Sequence, residues 1–158
     1  MSKSPASRTL AILASFGVVA SALVLAAPAA FADTNGMRIT EYEYNGSEFV
    51  EFTNLGSTPV DMTGWSFSDN HEIAGNVPLS SFATVAVGES VILSQATADN
   101  FRTQWGLPES VKVIGSNSQN LGRSDEINLY DNTGALVDRL TFNDQGSGSV
   151  KADRKSVV

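Results

Sequence analysis

The chain has 158 residues and a formal net charge of −7, from 17 acidic and 10 basic side chains. An acidic surface repels phosphate backbones, so generic nucleic-acid binding is disfavoured on charge. The chain has no cysteine, which excludes disulfides, thiolate zinc sites, cysteine nucleophiles and redox motifs.

Lys3 and Arg8 precede an apolar run from Leu10 to Ala27, Pro28 ends it, and Ala30-Phe31-Ala32 puts small residues at −3 and −1. That order is the pattern of a bacterial-type signal peptide over residues 1–32, cut between Ala32 and Asp33. An uncleaved anchor is the competing reading, since the run is close to the roughly 17 residues that a membrane span needs. Ser15, Gly17 and Ser21 dilute it, however, and no positive stop-transfer cluster follows. Cleavage is therefore expected, with a secreted or cell-envelope-associated product and no stable membrane span. All 17 acidic and eight of the basic residues lie beyond residue 32, giving that part a net charge of −9. It is the size of one domain, and without disulfides its stability must come from an apolar core.

Residues 33–36 are a short linker. Met37–Tyr44 alternates as a first strand, with Met37 and Ile39 on one side and Arg38 and Thr40 on the other. Strict alternation puts Tyr42 and Tyr44 opposite Met37 and Ile39, so in a two-layer sandwich one of the two sets must be partly exposed; if it is the tyrosines, they are the candidate binding surface. Asn45-Gly46 reads as a hairpin turn, and that reading is preferred to a glycosylation sequon at Asn45-Gly46-Ser47. A second strand follows over Glu48–Asn54, with Val50 and Phe52 on one face and Glu51 and Thr53 on the other. Leu55–Pro59 is a turn, and Val60 and Met62 lead through Gly64 into an alternating strand, Trp65-Ser66-Phe67-Ser68. Trp65 is expected in the core. Asp69–Pro78 is a polar loop, Phe82–Val87 a short extended piece ending at Gly88-Glu89, and Val91-Ile92-Leu93 a buried strand.

The period then changes. Ala98, Phe101, Arg102 and Trp105 share helical spacing, Ser94 or Thr97 can cap the start, and Gly106 with Pro108 ends it. The predicted helix covers about 97–105. Val111–Ile114 reads as a strand and Gly115–Arg123 as a polar loop. Glu126–Tyr130 and Ala135–Phe142 form a closing hairpin around Asp131-Asn132-Thr133-Gly134, with Gly134 at the left-handed position. Residues 143–158 read as a flexible tail. About eight short strands with frequent turns predict an all-β fold, an antiparallel sandwich with one short inserted helix.

Four elements in order carry a resemblance: Glu48 to Gly56, Val60 to Trp65, Gly88 to Leu93, and Leu129 to Asp138. Together they resemble the lamin tail domain, in its secreted bacterial form, over residues 37–142. The resemblance implies an immunoglobulin-like sandwich, with Glu51, Asn54, Gly64, Trp65, Tyr130, Asp131, Gly134 and Asp138 as its signature positions. It also implies an accessory module, because bacterial relatives are often joined to exported nucleases or phosphatases.

Catalytic patterns are sparse. His71 is the only histidine, and it reads as a solvated loop residue, since a triad or a zinc site needs further converging groups. The acidic pairs Glu41/Glu43, Glu48/Glu51, Asp125/Glu126 and Asp131/Asp138 could in principle serve glycoside hydrolysis, but such patterns usually mark the wet side of a sheet. No catalytic residue, cofactor or metal is assigned. If calcium binds, the loops at Asp69 and Asp131 are where it would sit. The expected function is a non-enzymatic exported binding or adaptor module for a protein or cell-envelope ligand. The alternative is the N-terminal accessory domain of a secreted hydrolase. Ligand identity and oligomeric state stay open.

Overall fold

The computed structural model describes residues 36–144. The expected signal peptide with Ala30, Ala32 and Asp33, most of the linker, and the tail from residue 145 lie outside the described residues. Two four-stranded sheets face each other. The first has the order β1-β2-β7-β8, from Met37–Glu43 (β1), Phe49–Asn54 (β2), Ser90–Ser94 (β7) and Val113–Ile114 (β8). The second has the order β10-β9-β4-β5, from Leu136–Asn143 (β10), Ser124–Tyr130 (β9), Ser66–Ser68 (β4) and Val77–Pro78 (β5). Val60–Asp61 (β3) and Thr84–Val85 (β6) make a small two-stranded sheet. Pairing is antiparallel except between β7 and β8, which run parallel.

The core follows from period-2 alternation. Val50 and Phe52 of β2, Val91 and Leu93 of β7, Phe67 of β4, and Ile127 and Leu129 of β9 all point between the sheets. Trp65, Met62, Leu79 and Phe82 join them from the connections, so Trp65 takes its expected place.

Each sheet also has a covered outer face, for a different reason in each case. On the first sheet, Phe49 and Ile92 point outward and are buried by Phe101 of the helix α1, Ala98–Trp105. Thr97 caps α1 by accepting the Asn100 N–H, and Gly106 ends it at φ 64°, as its sequence signals require. On the second sheet the loop after β4 folds back. Ser66 Oγ accepts Gly75 N–H at 2.8 Å and Ser68 Oγ accepts Ile73 N–H at 3.2 Å. The serines of the alternating Trp65–Ser68 segment are therefore buried polar groups with partners, and that segment has no wet side.

The structure extends some of the predicted elements. The segment Asp69–Pro78 is not entirely loop, because Val77–Pro78 pairs with β4 as an edge strand. Phe82 closes a 3-10 turn, Ser80–Phe82, and the expected extended piece begins after it, at Thr84–Val85. Strand β10 runs to Asn143, opposite Ser124, and Asp144 N–H donates to Arg123 O, so the ordered chain continues past residue 142.

Candidate functional site

The signature positions Asn54, Gly64, Asp131, Gly134 and Asp138 are structural fastenings. Asn54 is fully buried; its amide donates to Thr58 O and Val85 O, and its Oδ1 accepts Gly56 N–H. One side chain thus ties the end of β2, the following turn and β6. Two turns share the order Asp-x-Thr-Gly. Asp61 Oδ1 accepts the N–H and hydroxyl of Thr63 ahead of Gly64 at φ 80°. Asp131 Oδ1 accepts the same pair from Thr133, and Ala135 N–H, around Gly134 at φ 80°. The two turns touch: a Cβ on Gly64 would lie 3.1 Å from that of Asn132. Both aspartates have depressed pKa values: Thr63 N–H holds Asp61 down, and at Asp131 the turn's donors outweigh partial burial.

Asp138 closes the sandwich. It sits opposite Leu129 on β10, is 4% exposed, and its Oδ2 accepts Ile39 N–H of β1 at 2.9 Å while Oδ1 accepts Arg139 N–H. It joins the edge strand of one sheet to that of the other.

The expectation for Tyr42 and Tyr44 is overturned. The pairing of β1 with β2 shifts between Ile39 and Glu41, so Ile39 faces Phe52 and Tyr42 faces Val50. A bulge at Thr40 inserts one residue, and that flips every later side chain to the other face. Both tyrosines therefore share the core face with Met37 and Ile39. Their rings lie 4.6 and 5.4 Å from that of Phe142, and the Tyr44 hydroxyl donates to Asp144, which also accepts Arg123 Nε at 2.9 Å. Burial raises the Tyr42 pKa, and the bond to Asp144 raises that of Tyr44. They are half-buried flank packing and do not form a free surface.

The wet-side reading also fails for Glu48, Asp125, Glu126 and Asp138, all buried. Glu48 Oε2 accepts Leu121 N–H at 2.7 Å and Gln95 Nε2 at 3.0 Å, pinning the loop before β9. Burial nevertheless raises its pKa, with Asp125 adding to the effect. Glu126, 2% exposed, pairs with Arg139 Nε at 3.3 Å beneath the Asp69–Asn76 loop. Arg139 also bonds Asn128 and, at 3.0 Å, Glu72, and Asn128 Nδ2 donates to Asp69 O. Burial raises the pKa of neighbouring Tyr130, against the opposing pull of Arg139. His71 is largely exposed, its Nδ1 against the buried Asp69 carboxylate. Ser68 Oγ is occupied by the loop backbone, so this cluster reads as a fastened lid. Among the described residues no three His, Asp or Glu side chains are grouped to hold a metal ion. Asp69 and Asp131 are each engaged locally.

Among the described residues, a concavity beside α1 has the chemistry of a binding site. Between α1 and the outer face of β1 and β2 lies an open cleft of about 120 Å³, lined by Phe49, Ile92, Phe101, Trp105 and Leu107, with Glu41 and Glu51 at its side. Phe49 stands edge-on to Phe101 and Trp105, at 5.3 and 5.4 Å. Phe101 is buried, while Trp105 remains 48% exposed. Of the signature residues only Glu51 reaches this cleft. The sequence did carry a signal for it: a tryptophan at the end of an amphipathic helix, one turn beyond its buried phenylalanine. The predicted helix contained both, but nothing local showed that Phe49 would lie beneath them.

Two packed sheets, an inserted helix and one aromatic-lined cleft define an immunoglobulin-like β-sandwich of the binding-module class. The family model of the lamin tail domain matches residues 31–144, well over half of the chain. The chain belongs to the lamin tail domain family. No curated protein matches it.

Proposed function

We propose that this protein is an exported, non-enzymatic adaptor whose α1 cleft holds a side chain of a protein partner. The observation that carries the reading is the half-exposed Trp105 ring standing over the buried Phe49 and Phe101, since exposed tryptophans over apolar sockets are typical anchor sites. The cleft is well below the roughly 300–1,000 Å³ of small-molecule pockets, which suits one protruding side chain. Among the described residues the buried carboxylates are bonded to backbone N–H groups or to Arg139, Gln95, Asn128 and, at Asp69, the His71 ring, which supports a structural role for them. The basic-apolar-small order of residues 1–32 supports export, and no helix among the described residues is long and apolar enough to cross a membrane.

Immobilised protein and its Trp105→Ala variant, exposed to native cell-envelope extract, test the docking reading. A partner held by the first and released by the second is expected; equal retention by both overturns the use of this cleft. Sequencing the N-terminus of protein recovered from the culture medium should start at Asp33, whereas an intact Met1 in the cell fraction overturns export.

A further inference from the structure

Glu41 and Glu51 are direct cross-strand partners on the outer face of β1 and β2. Like charges placed opposite each other on a sheet oppose folding, and a one-residue shift of β1 would separate these two. The bulge at Thr40 does the reverse and sets Glu41 beside Glu51 at the side of the aromatic cleft. Thr40 Oγ1 donates to Glu51 Oε1 at 2.6 Å, and Thr53 Oγ1 donates to the same oxygen at 3.3 Å. The second carboxylate oxygen of Glu51 has no such anchor among the described residues. Neither glutamate has an ion-pair partner among them. The nearest basic side chain of the helix, Arg102, is turned away to Val111 O and Asp99.

We infer that the cleft takes the basic side chain of a partner peptide, its methylenes against Phe49, Phe101 and Trp105 and its charged head between Glu41 and Glu51. Apolar rings contact the stem of a lysine or arginine, ring faces attract its cationic end, and the paired carboxylates complete the charge. The net charge of −9 beyond residue 32 steers a basic segment toward this surface. The inference rests on the docking role proposed for the cleft and adds the class of side chain it selects.

Trp105 is the natural reporter, because the other tryptophan, Trp65, is buried in the core. The two indole N–H signals are followed while the protein is titrated with N-acetyl-lysine methylamide, its arginine counterpart, and N-acetyl-norleucine methylamide as the neutral isostere. Saturable shifts of the Trp105 signal are expected with the two cations, weakening with salt. Norleucine should bind at least several-fold more weakly. Glu41→Gln and Glu51→Gln should each lower affinity by about two- to five-fold, the range of a partly exposed ion pair, with the Trp65 signal unmoved as proof of an intact core. Norleucine binding as tightly as lysine overturns the cationic selection and leaves the cleft as an apolar socket. No response of Trp105 to any of the three overturns the socket itself. A Trp105 signal that moves on deleting residues 145–158, without added ligand, makes the chain's own Lys151, Arg154 and Lys155 the occupant and overturns the outside partner.

Discussion

Arg139 shows what single residues decide in this sandwich. It is 8% exposed and holds Glu126, itself 2% exposed, together with Asn128 and Glu72. Breaking a buried pair by removing one partner leaves an uncompensated charge and costs about 3–5 kcal/mol. Arg139→Met is therefore expected to lower stability by about 3 kcal/mol or more by denaturant titration, whereas Arg139→Met with Glu126→Gln should recover part of that loss. Equal stability of wild type and Arg139→Met would mean that the pair is solvated. Trp65 works through volume instead. It is enclosed by both sheets, so Trp65→Ala should cost about 3–5 kcal/mol, read as a large fall in melting temperature. An unshifted melt would place that ring at the surface.

At the scale of elements, the decisive features are edges and irregularities. Strand β1 is an edge strand, and exposed edges invite pairing with other chains. Asp138 meets this by accepting Ile39 N–H from across the sandwich. Asp138→Ala orphans that donor at a cost of about 1–3 kcal/mol and loosens the junction of β1 with β10. Faster amide exchange at Ile39 is expected, with β7 in the centre of its sheet unaffected; uniform exchange across both strands would argue against a local closure. The Thr40 bulge has the larger functional consequence. One inserted residue moves two tyrosines into the flank of the core and brings two glutamates together beside α1.

For the molecule as a whole, pH acts through carboxylates that oppose each other. Asp61, Asp131, Asp144 and Glu89 have lowered pKa values, chiefly from hydrogen-bond donors: Thr63 N–H at Asp61, Tyr44 at Asp144, and for Asp131 and Glu89 donors that overcome partial burial. Their stabilisation is present above the ordinary carboxylate range and is lost as pH falls through their lowered values. Glu48 is raised by burial. Its folded form binds the proton more tightly than the unfolded chain, so its contribution declines as pH rises from about 4.5. Glu48→Gln should gain stability relative to wild type on going from pH 4 to pH 7, in paired thermal melts. A difference that is constant with pH would mean that Glu48 keeps an ordinary pKa in the fold.

The sequence by itself determined what depends on near neighbours. Alternation in Val50–Phe52 defined a core face, Thr97 and Gly106 bounded the helix, and Gly134 set the closing turn, because each uses contacts within a few residues. Four ordered elements were enough to identify the family and its sandwich. Tertiary structure decided the rest. Whether Glu48 and Glu126 are wet depends on segments far away in the chain, and the cover over Ser66 and Ser68 depends on how the loop after β4 folds back; alternation carries no information about what covers a sheet's outer face. The bulge at Thr40 is a property of two strands in register, so no reading of β1 alone could place Tyr42 inward or Glu41 against Glu51. The cleft is likewise made only when α1 packs over Phe49, about fifty residues earlier in the chain.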